Sequence, residues 1–229
     1  MISIKKLSRQ RGDIHLSELH LEVGPGEIYF LLNRLDRDNE LLFRVLSGFD
    51  AAAGGEIFFD GICTPAAKRP KAAIFVDRLS DRTDFDAEAD LGSWFDFLCA
   101  LGLSRERIYQ ILLVGNFHER QLKELVRDLA PETFKLAYLA ACFAADNANI
   151  VINDFIRGSE KSFELKFNKL LLQRKNAGDS ILFLGNDIFY AAEIADRVGF
   201  IKNGRLVFEA VAADLKEMDI KDLYSKFFS

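Results

Sequence analysis

The residues with the most suggestive spacing lie between a continuous apolar run, Ile28–Leu32, and a helical pattern over 40–47. A strand, a tight loop and a helix in this order frame a phosphate-binding loop of the type G-x-x-x-x-G-K-[ST]. In such a loop the glycines let backbone N–H groups converge on phosphate, the Lys neutralises it and the hydroxyl holds magnesium. Other residues occupy the four defining positions here: Asn33, Asp38, Asn39 and Glu40. The strand and helix that flank such a loop are therefore predicted, but the glycines, the Lys and the hydroxyl that would bind phosphate and magnesium are replaced.

The same loop carries three carboxylates where a triphosphate would lie, those of Asp36, Asp38 and Glu40. A helix N-terminus normally offers free N–H groups and a positive dipole end to an anion. We expect Asp38 or Asn39 to cap this helix and Glu40 to lie in its first turn. The sequence therefore predicts that the chain closes the loop with its own side chains and binds ATP weakly or not at all. Capping residues on a repurposed loop would give the same outcome.

The composition of the chain argues against nucleic-acid binding, a metal site and a membrane-spanning helix. The chain has 229 residues, which suits one sizeable domain or two lobes of one, and its net charge of −5 provides no general basic field for nucleic acid. The three cysteines and three histidines form no metal-ligand spacing. The longest nearly apolar run, Leu136–Ala145, is far shorter than the roughly 20 residues of a membrane helix. The prediction is a cytoplasmic protein without a nucleic-acid partner, which reaches a membrane only through another subunit.

Hydrophobic periodicity predicts strands that alternate with helices, and hence a mostly parallel sheet. Strands are expected at 2–7, 17–23, 28–32, 55–59, 72–76, 149–153 and 180–184, with a hairpin over 198–209 that turns at Asn203-Gly204. Helices are expected at 40–47, 91–101, 105–114, 118–128, 131–145, 160–175, 187–197, 212–218 and 220–227. The predicted single domain, 1–229, has an α/β core (1–84 and 146–211), a helical insert at about 85–145 and C-terminal helices at 212–229.

The order of these segments resembles the ATP-binding cassette of ABC transporters over essentially the whole chain. Glu22–Tyr29 is similar to the lead-in to the Walker A loop of that family. Arg44–Gly48, followed by Gly55–Gly61, is similar to what comes after the loop, and Ala191–Val207 to the segment after the switch histidine. The resemblance implies an ABC-type P-loop ATPase fold: a mostly parallel core sheet, a small antiparallel β subdomain and an inserted helical subdomain.

The resemblance also locates the nucleotide-site positions, and most carry other residues. Asn39 and Glu40 replace the Walker A Lys and Ser/Thr, and Asp77 replaces the Gln that senses magnesium and the membrane subunit. Asp154 matches the Walker B Asp, Phe155 replaces the catalytic Glu, and Asn186 replaces the switch His. The signature L-S-G-G-Q falls on Ala130, Pro131, Glu132, Thr133 and Phe134, or on Leu129–Thr133 if the register shifts by one. The aromatic that stacks on adenine has no match around Arg11.

These replacements predict a vestigial site. Phe155 cannot act as the general base, a role that typically contributes about 10²–10⁴-fold to a rate. Asp154 alone is a weak magnesium candidate, because a lone carboxylate at a strand end is more often a cap or structural contact. In this family two cassettes pair head to tail, with each ATP between one Walker A loop and the other signature. Because this chain lacks both, a role as a simple catalytic half is disfavoured. No cofactor and no metal are expected.

Partner-docking residues are the part of the family pattern that the chain keeps. In the family, a groove between insert and core receives a helix of the membrane subunit, which places Asp77, Trp94, Phe95 and Phe97 as docking candidates, although most of these aromatics are expected to build the insert's own core. The main hypothesis is a catalytically inactive cassette subunit, structural or regulatory, in an ABC transporter-type membrane complex. It would sit at the inner face of the membrane through a membrane-spanning subunit, another cassette protein or both; a dimer is compatible with it.

Two alternatives remain open at this stage. One is an ATP-hydrolysing subunit whose site is completed by a partner cassette, with Asp154 holding magnesium. The other is a stand-alone scaffold protein.

Overall fold

The computed structural model describes residues 1–33, 35–64, 68, 70–78, 88–215 and 225. The chain divides into two compact units. The first comprises Met1–Phe75, Asn147–Asp154 and Arg174–Ser229, and the second comprises Val76–Asp146 and Phe155–Gln173. The second unit therefore contains the predicted insert and also the segment from Phe155 to Gln173.

The first unit contains an antiparallel sheet of four strands in the order β2-β1-β4-β5. These strands are β1 (Ile2–Arg11), β2 (Ile14–Val23), β4 (Gly54–Phe59) and β5 (Ile62–Cys63). Alternating apolar residues of β2, such as Leu19, Leu21 and Val23, are buried, as expected of strands with one face on a core.

A second sheet has six strands in the order β10-β9-β3-β8-β7-β6. They are β3 (Glu27–Asn33), β6 (Ile74–Val76), β7 (Asn149–Asn153), β8 (Ser180–Gly185), β9 (Arg197–Lys202) and β10 (Arg205–Val211). The pairs β3–β8, β3–β9 and β7–β8 are parallel, and β9–β10 is antiparallel. The apolar runs of the central strands are buried throughout, which confirms the α/β prediction.

Helix α1 (Asp36–Leu46) starts four residues earlier than the sequence pattern indicated. Its N-cap is Leu35, whose side chain makes no capping hydrogen bond, so the prediction that Asp38 or Asn39 caps this helix is wrong. Asp36 and Asp38 instead occupy its first turn, where a carboxylate interacts favourably with the helix dipole. At the other end Gly48 adopts φ 78°, as expected of a glycine just beyond a helix.

The second unit is helical, with α2 (Leu91–Ala100), α3 (Arg105–Val114), α4 (Pro131–Phe143) and the Lys161–Gln173 part of α5 (Lys161–Asn176). The helix predicted at 118–128 is wrong: two 3-10 turns, Glu119–Lys123 and Val126–Asp128, take its place. Between them the backbone is extended. There Val126 N–H donates to Ala89 and Leu91 N–H donates to Glu124, so the chain pairs with a neighbouring segment rather than with itself.

The remaining described helices are α6 (Ile188–Ile194) and α7 (Ala212–Leu215). The helix predicted at 220–227 and most of the acidic segment 78–90 lie outside the described residues. Of the helices described, none is long and apolar enough to cross a membrane.

Candidate functional site

Two asparagines lie in the protein interior where β3 ends and α1 begins. Asn33 ends β3 and Asn39 lies on α1, and each is only 2% exposed. The Asn33 Nδ2 group donates a hydrogen bond to Asn39 Oδ1. The residue at the position of the Walker A Lys is thus a buried amide that is bonded to the residue at the first glycine position.

A second contact joins this loop to the end of strand β8. Asn186, which follows Gly185, donates from Nδ2 to Asp36 Oδ1 at 3.0 Å. Both side chains are half-buried. The residue at the switch-histidine position therefore contacts a carboxylate of the chain itself, a contact across 150 residues of sequence that no local pattern predicts.

The other two carboxylates of the loop lie in different surroundings. Burial raises the pKa of the Asp38 carboxyl above its usual range, and Arg37 and His15 oppose this shift. Arg37 itself contacts Asp13 at 2.7 Å. Glu40, in contrast, is exposed. The three carboxylates therefore do not form one cluster: one is hydrogen-bonded, one is desolvated and one faces solvent.

Asp154, the Walker B position, follows strand β7 with a left-handed backbone, φ 45°. Its N–H group donates to the Leu184 carbonyl at 2.9 Å, which continues the pairing of β7 with β8 for one residue. Left-handed backbone is uncommon for a non-glycine residue, and aspartate is one of the types that tolerate it. Its carboxylate is half-buried.

Phe155, at the position of the catalytic Glu, belongs to the core of the second unit and is 0% exposed. Its ring centroid lies 5.6 Å from that of Phe167, 6.0 Å from that of Tyr138 and 6.2 Å from that of Phe163. The sequence carried a signal for this cluster, since Phe163 and Phe167 are four residues apart on a helix and share a face.

The signature positions lie at the start of α4, also in the second unit. Ala130 is the N-cap and offers no side-chain hydrogen bond, and Pro131 is the first helical residue. Glu132 Oε1 accepts the Glu160 N–H at 2.7 Å, and Thr133 Oγ1 accepts from Gln121 Nε2 at 3.3 Å. Phe134, the last of the five, is buried.

This helix start opens on a cleft of about 510 Å³ that is formed entirely by the second unit. The cleft is lined by four groups of residues: Gly115–His118 with Gln121; Ala130–Thr133 with Leu136; Gly158 with Glu160; and Phe163 with Lys166. The sequence identified the Ala130–Thr133 wall only. Lys166, Glu160 and His118 were missed because nothing in their local pattern marks them.

Comparisons with known proteins agree with this architecture. No family model matches the chain. It is 23% identical over 230 residues to the probable ABC transporter ATP-binding protein p29 of Mycoplasma pneumoniae, covering 94% of each chain. It is 30% identical over 217 residues to the aliphatic sulfonates import ATP-binding protein SsuB of Frankia casuarinae, covering 90% of this chain and 64% of that protein. The chain covers only 45% and 34% of the length of two other ABC transporter ATP-binding relatives.

A solved structure of an ATP-binding subunit of an ABC transporter superimposes on the whole chain with a TM-score of 0.82 at 17% identity, and is covered completely. The chain is similar to ATP-binding proteins of ABC transporters. Its fold is the ABC-type P-loop ATPase fold that the sequence predicted, and its relatives are ATP-binding subunits of ABC transporters.

The docking candidates that the resemblance suggested differ in exposure. Phe95 is 1% exposed and belongs to the core of the second unit, where its ring lies 5.3 Å from that of the half-buried Trp94. Phe97 is 60% exposed, and Leu101 follows it one turn later and is also exposed. Asp77 is exposed, and its Oδ1 accepts the Arg78 N–H at 2.8 Å. Phe97, rather than Phe95, therefore presents an aromatic ring to solvent.

No group of three or more His, Cys, Asp or Glu side chains within the described residues is arranged to hold a metal ion. The cassette positions that the sequence singled out therefore fall into separate sets. Asn33 meets Asn39, Asp36 meets Asn186, and Phe155 and the signature residues lie in the other unit.

Proposed function

We propose that this chain is a catalytically inactive cassette, a pseudo-ATPase that serves as a structural or regulatory subunit of an ABC transporter-type membrane complex. It occupies a subunit position by shape and does not bind ATP and magnesium as a working cassette does. It lies in the cytoplasm at the inner face of the membrane and is held there by a membrane-spanning subunit, another cassette protein or both.

The observation that carries this proposal is the contact between Asp36 and Asn186. An amide donor that is bonded to a carboxylate of its own chain is not available to the terminal phosphate of a nucleotide. The carboxylate that accepts the bond also brings negative charge to the start of α1, where a phosphate would need the free N–H groups and the dipole. The Asp36 carboxylate is thus an anionic group of the chain itself at the start of α1.

Three further features support the same conclusion. Asn39 is buried and bonded to Asn33, so the amide at the Lys position is engaged inside the protein. Glu40 brings a carboxylate to the position of the hydroxyl that would hold magnesium. Phe155 is enclosed by aromatic rings and has no proton to exchange. These residues do not fit magnesium and a triphosphate.

The deciding measurement is equilibrium binding of labelled ATP in the presence of magnesium, for the purified chain alone and with the proteins that co-purify with it. We expect no saturable binding up to about 1 mM ATP, whereas working sites bind far more tightly. Micromolar affinity of the chain alone would overturn the proposal. Binding that appears only with a partner, and is lost in Asp154→Asn, would favour an ATP-hydrolysing subunit completed by another cassette.

A restoration variant tests whether the loop backbone is closed as well. Asn39→Lys combined with Glu40→Ser returns the two side chains of the motif but leaves Asp36, Asp38 and the missing glycines in place. We expect this variant to bind no more ATP than the parent chain. Tight binding by the variant would mean that only two side chains, and not the loop, had changed.

Membrane association is tested by fractionation of cells that produce the tagged full-length chain. We expect the chain in the membrane fraction and its release by alkaline carbonate, as for a peripheral subunit. Phe97→Ser should move it to the soluble fraction, whereas Phe189→Ser, which also removes an exposed ring, should not. A chain found wholly in the soluble fraction would favour the stand-alone scaffold.

A further inference from the structure

The cleft at the start of α4 has three walls, all in the second unit. One is the first turn of α4, with Pro131, Glu132 and Thr133. Another runs from Gly158 into the start of α5, with Glu160, Phe163 and Lys166, and the third is the segment from Gly115 to Gln121. Its volume, about 510 Å³, lies within the range of small-molecule sites, about 300–1,000 Å³. Nothing in the pseudo-ATPase proposal uses this space.

Charged groups of both signs line the cleft without neutralising each other. Within the described part of the chain no salt bridge joins Lys166 to Glu132 or to Glu160, so these charges are more than 4 Å apart. Glu132 Oε1 accepts the Glu160 N–H, whereas Glu132 Oε2 accepts no hydrogen bond from the described residues. An ammonium group and carboxylates that share one cleft without pairing are complementary to a ligand that carries both charges.

The floor of the cleft is apolar. Leu136 and Phe163 are both buried, and both are among the residues that line the cleft. Lys166 lies three residues after Phe163 on α5, so its aliphatic stem and the phenyl ring share one face of the helix. A ligand that satisfies the charges therefore also needs an apolar group to cover this floor.

We infer that the cleft binds a small zwitterion with an apolar side chain, of the amino-acid or dipeptide class. The ammonium group of the ligand lies against Glu132 and Glu160, its carboxylate meets Lys166, and its side chain covers Leu136 and Phe163. A polyanion such as a triphosphate is disfavoured, because two carboxylates face one lysine. The Walker A positions, Asn33 to Glu40, lie in the other unit.

The test is calorimetric titration of the full-length chain with the dipeptide L-leucyl-L-phenylalanine. Two capped probes, the N-acetyl and the C-terminal amide derivatives, each remove one charge. We expect saturable binding of the free dipeptide and a loss of about tenfold in affinity for each cap, as is typical of a charged hydrogen bond. No saturable binding of the free dipeptide, or equal binding of all three probes, would overturn the inference.

Matched variants assign each charge to its residue. Lys166→Met should weaken the free dipeptide about tenfold and leave the amide derivative unchanged. Glu132→Gln, whose amide oxygen still accepts the Glu160 N–H, should weaken the free dipeptide but not the N-acetyl derivative. Lys169→Met, on the same helix outside the cleft, is the control and should change nothing. Binding of inorganic pyrophosphate in a Lys166-dependent manner, without dipeptide binding, would show an anion site and contradict the inference.

Discussion

The starts of helices α1 and α4 are the two places where the resemblance to the cassette family predicts phosphate-contacting motifs, and both carry other residues. At α1 the polar side chains bond to one another: Asn33 to Asn39, and Asp36 to Asn186. At α4 the side chains face a cleft in which Lys166 pairs with neither carboxylate.

This difference shows that the loss of a motif does not fix what replaces it. Around α1 two pairs of the replacing side chains are hydrogen-bonded, Asn33 to Asn39 and Asn186 to Asp36. Around α4 a proline and a glutamate stiffen the helix start but leave its surroundings open. One region holds hydrogen-bonded pairs of polar side chains, and the other has a cleft. Four variants can break or sharpen this contrast.

The largest effect is expected for Phe155→Glu, which restores the residue type of the catalytic position in the unit that contains α4. A carboxylate there would be buried among Phe163, Phe167 and Tyr138, and the Lys135 Nζ lies 5.8 Å from the Phe155 ring centroid, beyond the reach of a salt bridge to the ring position. We expect a loss of about 3–5 kcal/mol in the free energy of unfolding, measured with urea. Phe155→Leu, the apolar control, should lose about 1–2 kcal/mol. Equal stability of the two variants would mean that the site is open to water.

The second effect concerns the hydrogen-bonded pair of asparagines at α1. Asn39→Ala leaves the buried Asn33 amide without its acceptor and should cost about 1–3 kcal/mol in the free energy of unfolding. The double variant with Asn33→Ala should cost less than the sum of the two single variants, by about 1 kcal/mol. Strict additivity in this cycle would show that the two amides are not coupled.

A smaller effect is expected at α4. Glu132→Ala removes the acceptor of the Glu160 N–H, but Glu160 is exposed and water can take the place of the carboxylate. The expected loss in the same urea measurement is about 0.5 kcal/mol, below that of Asn39→Ala. A loss as large as that of Asn39→Ala would erase the contrast between the two helix starts.

The smallest effect is a pH dependence at α1. Burial raises the folded-state pKa of Asp38 above the usual carboxyl value of 3.8, so its ionised form costs the native state stability at neutral pH. Asp38→Asn removes this cost. Relative to the parent chain, the variant should gain stability as pH rises through the folded pKa, by under about 0.5 kcal/mol, and gain nothing below the unfolded pKa. Urea unfolding at pH 3, 5 and 7 would measure it, and a gain confined to low pH would contradict the assignment.

The sequence by itself determined the framework of this protein. Continuous apolar runs such as Ile28–Leu32 specify buried parallel strands, and Asn203-Gly204 specifies the β9–β10 turn, where Asn203 and Gly204 adopt φ of 52° and 72°. These signals are local, so they can be interpreted without knowledge of the fold. The identities at 33–40 and at 155 also showed which family positions had changed.

Only the tertiary structure decided what the changed residues do. Asn186 meets Asp36 because strands β3 and β8 are neighbours, a pairing across 150 residues that periodicity cannot encode. The segment 118–128 is not helical, since its backbone finds partners near Leu91. Lys166 joins the cleft because α5 begins beside the first turn of α4. In each case a long-range contact outweighs local propensity, and the sequence pattern records only the latter.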